Sequence, residues 1–114
     1  MLFVVYLGAL LCAPITPRLL PPVVLLHGSD DRCVPSRYAE QFAEALSSIG
    51  ARVHLKMYKG ETHTSPLIEN PLRGGRDVLQ DDVLSVVLGR DVRTNHPAMC
   101  PAMLISLAAR VNPF

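Results

Sequence analysis

Two side chains of this sequence have the types and positions needed for hydrolytic chemistry. Asp31 closes a Gly-x-x-Asp turn after the apolar run 23–27, and His63 follows the alternating segment 52–58. A carboxylate that holds a histidine in one tautomer leaves its other ring nitrogen free to take a proton from a nucleophile. Asp31 and His63 are therefore predicted to be the acid and the base of nucleophilic catalysis.

Three predicted elements would bring this pair together. Residues 23–27 form a continuous apolar run ending in histidine, typical of a parallel strand buried on both faces, and residues 52–58 alternate as a second strand. Between them, Ser36 can cap an amphipathic helix that Gly50 ends in a left-handed conformation. Strand, helix and strand in this order form a right-handed crossover, so both strands are parallel and both loops open at one edge.

This order of elements is typical of the C-terminal portion of an α/β-hydrolase. In that fold, a serine on a Gly-x-Ser-x-Gly elbow comes first in the chain, and the acid and the histidine follow. No Gly-x-Ser-x-Gly occurs in the 114 residues. We therefore predict an α/β fold with an incomplete sheet, in which the parallel strands 23–27 and 52–58 are flanked by helices.

Two adjacent aspartates compete for the role of the acid. Asp30 and Asp31 are the third and fourth residues of Gly-Ser-Asp-Asp, and the acid of this fold usually occupies the fourth position. Either aspartate could instead simply turn the chain after a strand. His63, at the matching place after the next strand, favours the catalytic interpretation and Asp31.

The second half of the chain is predicted to contain a loop and two helices. Residues 65–76 include two prolines and two glycines and are predicted to be a loop, whereas 77–88 and 103–111 have helical periodicity. Within the loop, the Arg-Gly-Gly-Arg segment 73–76 could hold an anion. It lacks the Gly-Lys-Ser/Thr ending of a phosphate loop, so a solvated turn is the preferred interpretation.

Composition argues against several classes of partner and cofactor. The net charge is +1 with mixed signs along the chain, which indicates no nucleic-acid surface. The three cysteines have no Cys-x-x-Cys spacing and are predicted to be buried free thiols. His27, His54 and His96 show no metal-ligand spacing, so neither a metal nor a cofactor is predicted.

The chain is predicted to divide into an apolar leader, residues 1–18, and an α/β-hydrolase portion, residues 19–114. Residues 1–13 are almost wholly apolar, and prolines at positions 14, 17, 21 and 22 prevent a helix or strand from continuing beyond them. The leader could be a signal peptide, an anchor, or a strand and helix of a hydrophobic interior, and it is too short for a spanning helix of about 20 residues.

Four segments together resemble the C-terminal part of plant isoprenylcysteine α-carbonyl methylesterases, and the resemblance covers about residues 19–114. The Gly-x-x-Asp turn and the histidine loop are generic, whereas His-Thr followed by Pro-Leu-Arg-Gly-Gly and the terminal Arg-Val-Asn-Pro-Phe are more specific. The four segments are Pro21–Pro35, Tyr58–Thr64, Asn70–Asp77 and Met103–Phe114.

The resemblance implies a substrate, a location and a triad. Members of that family are membrane-associated enzymes of the endoplasmic reticulum and Golgi that hydrolyse the methyl ester of a prenylated cysteine, and their acid and base would fall on Asp31 and His63. Their His-Gly-Gly oxyanion segment, their serine and their membrane-spanning N-terminus have no counterpart here. Because a triad without its serine loses most of its rate, this chain alone is expected to be inactive.

Two other functions fit parts of the sequence. A different α/β-hydrolase, such as a carboxylesterase or a prolyl-peptidase-like enzyme, would share Asp31 and His63 but not the Pro-Leu-Arg-Gly-Gly segment. A truncated, non-catalytic isoform would instead bind a partner or the full-length enzyme through an uncovered sheet edge.

Overall fold

The centre of the fold is a three-stranded sheet with the order β1-β2-β3. The computed structural model describes residues 3–6 and 20–112. Strand β1 is Phe3–Tyr6, β2 is Val23–Gly28 and β3 is Val53–Tyr58. The predicted parallel pairing of β2 with β3 is confirmed, and β1 adds an antiparallel strand within the apolar leader, for which a strand was one of the alternatives left open. The rest of the predicted leader, residues 1–2 and 7–18, lies outside the described residues.

The crossover between the two parallel strands is helix α1, Ser36–Ser48. The predicted capping role of Ser36 is wrong, since Ser36 is the first helical residue. The N-cap position is occupied by Pro35, which makes no side-chain capping bond. At the other end, Gly50 has φ +84°, as predicted, and its N–H donates to the Ser47 carbonyl at 2.9 Å. The Ala51 N–H reaches the Leu46 carbonyl at 3.1 Å, which completes a Schellman motif.

Burial is concentrated on β2 and on the residues that pack against it. Leu25 and Leu26 are at most 1% exposed, and Leu26 forms a cluster with Tyr58 of β3 and Leu79. On α1, only Ala39 is fully buried, while the apolar side chain of Phe42 is 42% exposed. Of the two parallel strands, β2 therefore contributes most of the buried side chains.

The prediction of a loop at residues 65–76 is wrong, because the first nine of these residues are helical. A π-helical segment, Ser65–Glu69, continues into α2, Asn70–Arg73. Pro66 and Pro71 each lie at the start of their segment, and for Pro66 the missing N–H removes no intrahelical bond. Each proline therefore marks the start of a helical segment, although the sequence analysis interpreted the prolines as evidence against a helix.

Two further helices complete the described chain, and both predictions are confirmed. Helix α3 is Val78–Leu88, with Asp77 as N-cap accepting from the Gln80 N–H, and Gly89 at φ +63° ends it. Helix α4 is Ala102–Val111. Among the described residues, no helix has both the length and the apolar character needed to span a membrane.

The Arg-Gly-Gly-Arg segment is mostly exposed, as expected for a solvated turn, and it also makes internal contacts. Gly75 exchanges two backbone hydrogen bonds with His96, at 2.8 and 3.0 Å, and a side chain at Gly74 would collide with the backbone of Ala98. Arg76 pairs with Asp81, Nε to Oδ2, at 2.6 Å. The segment thereby joins α2 and α3 to the chain that leads into α4.

The Asp81 carboxylate predicts a stability change in acid. Hydrogen bonds from Thr94 and Arg76 lower its pKa to about 2, although burial opposes the shift. A depressed pKa gives stability that is present above the ordinary value and is lost as the pH falls from about 4 towards 2. Urea unfolding of the wild type and of Asp81→Asn should therefore differ clearly at about pH 5, and the difference should shrink at about pH 2. A constant difference at both pH values would contradict this role.

Candidate active site

Asp31 and His63 meet at the carboxyl ends of β2 and β3. The His63 Nδ1 lies 3.0 Å from the Asp31 Oδ2, and the Asp31 side chain is fully buried while that of His63 is about one-third exposed. The other carboxylate oxygen accepts the backbone N–H groups of Cys33 at 2.9 Å and Val34 at 2.8 Å. One oxygen therefore fixes the acid in its turn, and the other remains directed at the histidine.

A close approach of two backbones places the loops beside each other. A Cβ atom on Gly28 would collide with the carbonyl of Glu61, so this contact requires glycine for lack of space rather than for its backbone angles. The Asp30 N–H donates to that carbonyl at 3.0 Å, and the Gly60 N–H donates to Ser29 Oγ at 2.9 Å. The glycine of Gly-x-x-Asp thus sets the distance between Asp31 and His63.

The histidine loop is also held from the side of α2 and α4. The Glu61 carboxylate accepts the Ser65 hydroxyl and the Asn70 amide, the latter at 3.1 Å. The Asn112 amide donates to Thr64 Oγ1 at 2.7 Å. The sequence analysis assigned no role to these residues, although Glu61, Asn70 and Asn112 all lie in the segments that carry the family resemblance.

The electrostatics favour an ionised Asp31, and its charge determines which ring nitrogen of His63 faces it with a proton. Burial by itself raises the pKa of Asp31, but hydrogen bonds to the carboxylate, among them those from Val34 and His63, hold the pKa well below its usual range. An ionised carboxylate only accepts, so His63 Nδ1 must donate. The Nε2 lone pair is then available to take a proton from a nucleophile.

The neighbouring polar residues have other partners. Asp30 is exposed and accepts the Ser29 hydroxyl at 2.7 Å, so it is Asp31 that the structure brings to His63. His27 is fully buried, and its Nε2 donates to the Val34 carbonyl at 2.9 Å. His96 contacts Gln80 Oε1 at 2.8 Å, in a different part of the fold.

An apolar groove of about 400 Å³ begins beside the pair. It lies between the 65–73 helical region and α4, and its wall includes Thr64, which directly follows the histidine. Most of the other lining side chains are apolar, among them Ile68, Leu72 and Leu104. The groove therefore borders the segment that follows His63 and offers a mainly apolar surface.

The parallel strands, the crossover helix and the acid and histidine at their carboxyl ends define an α/β-hydrolase. The chain belongs to the phospholipase/carboxylesterase family of that class, whose profile matches residues 5–69. The matched residues include β2, α1 and β3 together with both Asp31 and His63. The fold class predicted from the sequence is thus confirmed.

Curated relatives give a narrower comparison. The isoprenylcysteine alpha-carbonyl methylesterase of Arabidopsis thaliana is 38% identical over 104 residues, covering 84% of this chain and 24% of that protein. A probable isoprenylcysteine alpha-carbonyl methylesterase of Oryza sativa subsp. japonica is 44% identical over 109 residues, covering 89% and 26%. The chain therefore spans about a quarter of the length of these relatives.

A solved structure is also similar. It is a thermophilic esterase from Thermogutta terrifontis with bound propionate, 26% identical, with a TM-score of 0.47 over 61% of this chain and 24% of that chain.

The close approach at Gly28 can be tested by comparing two glycines. Gly28→Ala should separate the loops and weaken the hydrogen bond between Asp31 and His63, whereas Gly50→Ala has nothing within 4 Å of the new carbon. Gly50→Ala should cost about 1 kcal/mol for its positive φ alone. In ¹⁵N-resolved NMR spectra, the His63 Nδ1–H signal should change in Gly28→Ala and stay in place in Gly50→Ala. An unchanged His63 signal in Gly28→Ala would contradict the account.

Proposed function

We propose that this chain contributes the acid and the base of a serine carboxylesterase that removes the methyl ester from a prenylated cysteine. The observation that carries the proposal is the 3.0 Å contact between His63 Nδ1 and the buried Asp31 carboxylate. The methylesterase names of the curated relatives support the choice of substrate. The substrate would be a free prenylcysteine methyl ester or the C-terminus of a prenylated protein.

In the proposed reaction, each residue has one task. His63 takes the proton of the serine hydroxyl through Nε2 as the oxygen attacks the ester carbonyl, and it later returns a proton to the departing methoxide. Asp31 stabilises the imidazolium that forms and keeps Nδ1 protonated. Water then hydrolyses the acyl-enzyme by the same exchange of protons.

The serine is not among the 114 residues, because they contain no Gly-x-Ser-x-Gly. It would come from a polypeptide that carries this elbow together with the oxyanion donors. The chain alone is therefore proposed to have no esterase activity. The apolar groove beside Thr64 is suited to the apolar part of the substrate, and the membranes of the endoplasmic reticulum and Golgi are the proposed location.

A chimera provides the direct test of these roles. Residues 20–112 would replace the matching quarter of the Arabidopsis methylesterase, and hydrolysis of farnesylcysteine methyl ester would be followed by methanol release. Asp31→Asn and His63→Ala should each lower kcat by about a thousandfold or more, since each removes a member of the triad. The isolated chain should give no rate above buffer.

Asp30→Asn is the matched control, because it makes the same change one position away on an exposed side chain. It should keep kcat within about twofold of the parent chimera. If the active chimera tolerates Asp31→Asn as well as it tolerates Asp30→Asn, the proposed role of Asp31 is wrong.

A binding role is the second candidate, and the edge position of β3 favours it. Within residues 3–6 and 20–112, β3 is paired only with β2, so its other side presents backbone groups that can add a strand. Under this function, Asp31→Asn and His63→Ala would leave partner binding unchanged. Loss of turnover in the chimera with both variants separates the two functions.

A further inference from the structure

A third side chain with a metal-binding atom lies beside the acid and the histidine. Asp31, Cys33 and His63 each offer one ligand atom, and these three atoms lie within 4.8 Å of one another. Cys33 is exposed and forms no disulfide. The Asp31 carboxylate is held in place because its Oδ1 accepts two backbone N–H groups. The three donors differ in kind: a thiolate sulfur, an imidazole nitrogen and a carboxylate oxygen.

This donor set suits zinc better than a hard cation. Zinc takes cysteine sulfur at about 2.3 Å and histidine nitrogen or carboxylate oxygen at about 2.0 Å, commonly in a tetrahedral arrangement. Calcium and magnesium take oxygen ligands and would leave the sulfur unused. Three protein ligands also leave a fourth position that water can fill.

The observed distances require little movement of the buried residues. Tetrahedral bonds of about 2.0 Å place neighbouring nitrogen and oxygen ligands about 3.3 Å apart. His63 Nδ1 and Asp31 Oδ2 are already 3.0 Å apart, so a metal ion could take the place of the proton between them with a shift of a few tenths of an ångström. The larger adjustment, of about 1 Å, falls on the exposed Cys33 side chain, which can rotate.

We propose that Asp31, Cys33 and His63 form a zinc site, and that zinc and the hydrogen bond between Asp31 and His63 exclude each other. On binding, the Cys33 thiol loses its proton to solvent, and the His63 proton moves from Nδ1 to Nε2 as Nδ1 ligates the metal. Nε2 is the atom that must accept a proton in the proposed esterase. If that function is correct, zinc is an inhibitor of it, but the binding itself does not depend on the esterase proposal.

The test uses the purified chain under reducing conditions, with zinc measured by calorimetry and Co²⁺ as a spectroscopic probe. The wild type should bind one zinc ion per chain and show a thiolate-to-cobalt charge-transfer band. Cys33→Ser should weaken zinc binding at least about tenfold and remove the band, because its hydroxyl is a much poorer ligand than a thiolate. Cys100→Ser is the matched control and should keep both.

A second measurement follows the imidazole and does not involve turnover. On addition of zinc, ¹⁵N NMR should show the His63 proton moving from Nδ1 to Nε2, with no such change in Cys33→Ser. The proposal is overturned if the wild type shows no saturable binding, if Cys33→Ser binds zinc as tightly as the wild type, or if the His63 proton stays on Nδ1 when zinc is bound. Circular dichroism of each variant verifies that the fold is retained.

Discussion

A carboxylate removed from water stays ionised only if hydrogen bonds replace its lost hydration, and the Asp31 site is built to meet this requirement. Two backbone amides, from Cys33 and Val34, satisfy one oxygen, and His63 satisfies the other. Because the carboxylate is charged, His63 must carry its proton on Nδ1. The tautomer that leaves Nε2 available as a base is thus a consequence of how one buried charge is solvated.

The remaining contacts near the site keep the histidine within reach of that charge. The close approach of Gly28 to Glu61 sets the distance between the loops, while Glu61 and Asn112 hold the histidine loop from the helical side. An acid and a base arranged in this way can position and receive a proton but cannot attack an ester. The same arrangement makes the nitrogen a ready metal ligand, since a metal ion and a proton compete for one lone pair.

Much of this arrangement could be predicted from local sequence patterns. The buried run of β2 and the alternation of β3 have clear periodicities. Because a crossover of fixed hand makes both loops meet at one edge, Asp31 and His63 were predicted to be close.

Other features could not be predicted in this way. The helical turns at 65–73 were missed because Pro66 and Pro71 were interpreted as breakers, whereas each lies at the start of its segment. Strand β1 gave no periodic signal that separated it from the apolar segment around it. The exposure of Cys33 contradicts the expected buried thiol: its backbone N–H donates to the buried Asp31 carboxylate, while its side chain lies at the surface.

The central claim is that Asp31 and His63 serve a serine nucleophile, and labelling of native material tests it most directly. An extract of the source tissue would be treated with a fluorophosphonate probe, and proteins that carry this sequence would be captured with an antibody against residues 100–114. The account predicts a labelled band much larger than a 114-residue chain, because the reactive serine must lie in additional polypeptide. Capture of unlabelled protein only, from an extract in which other serine hydrolases are labelled, would contradict the claim.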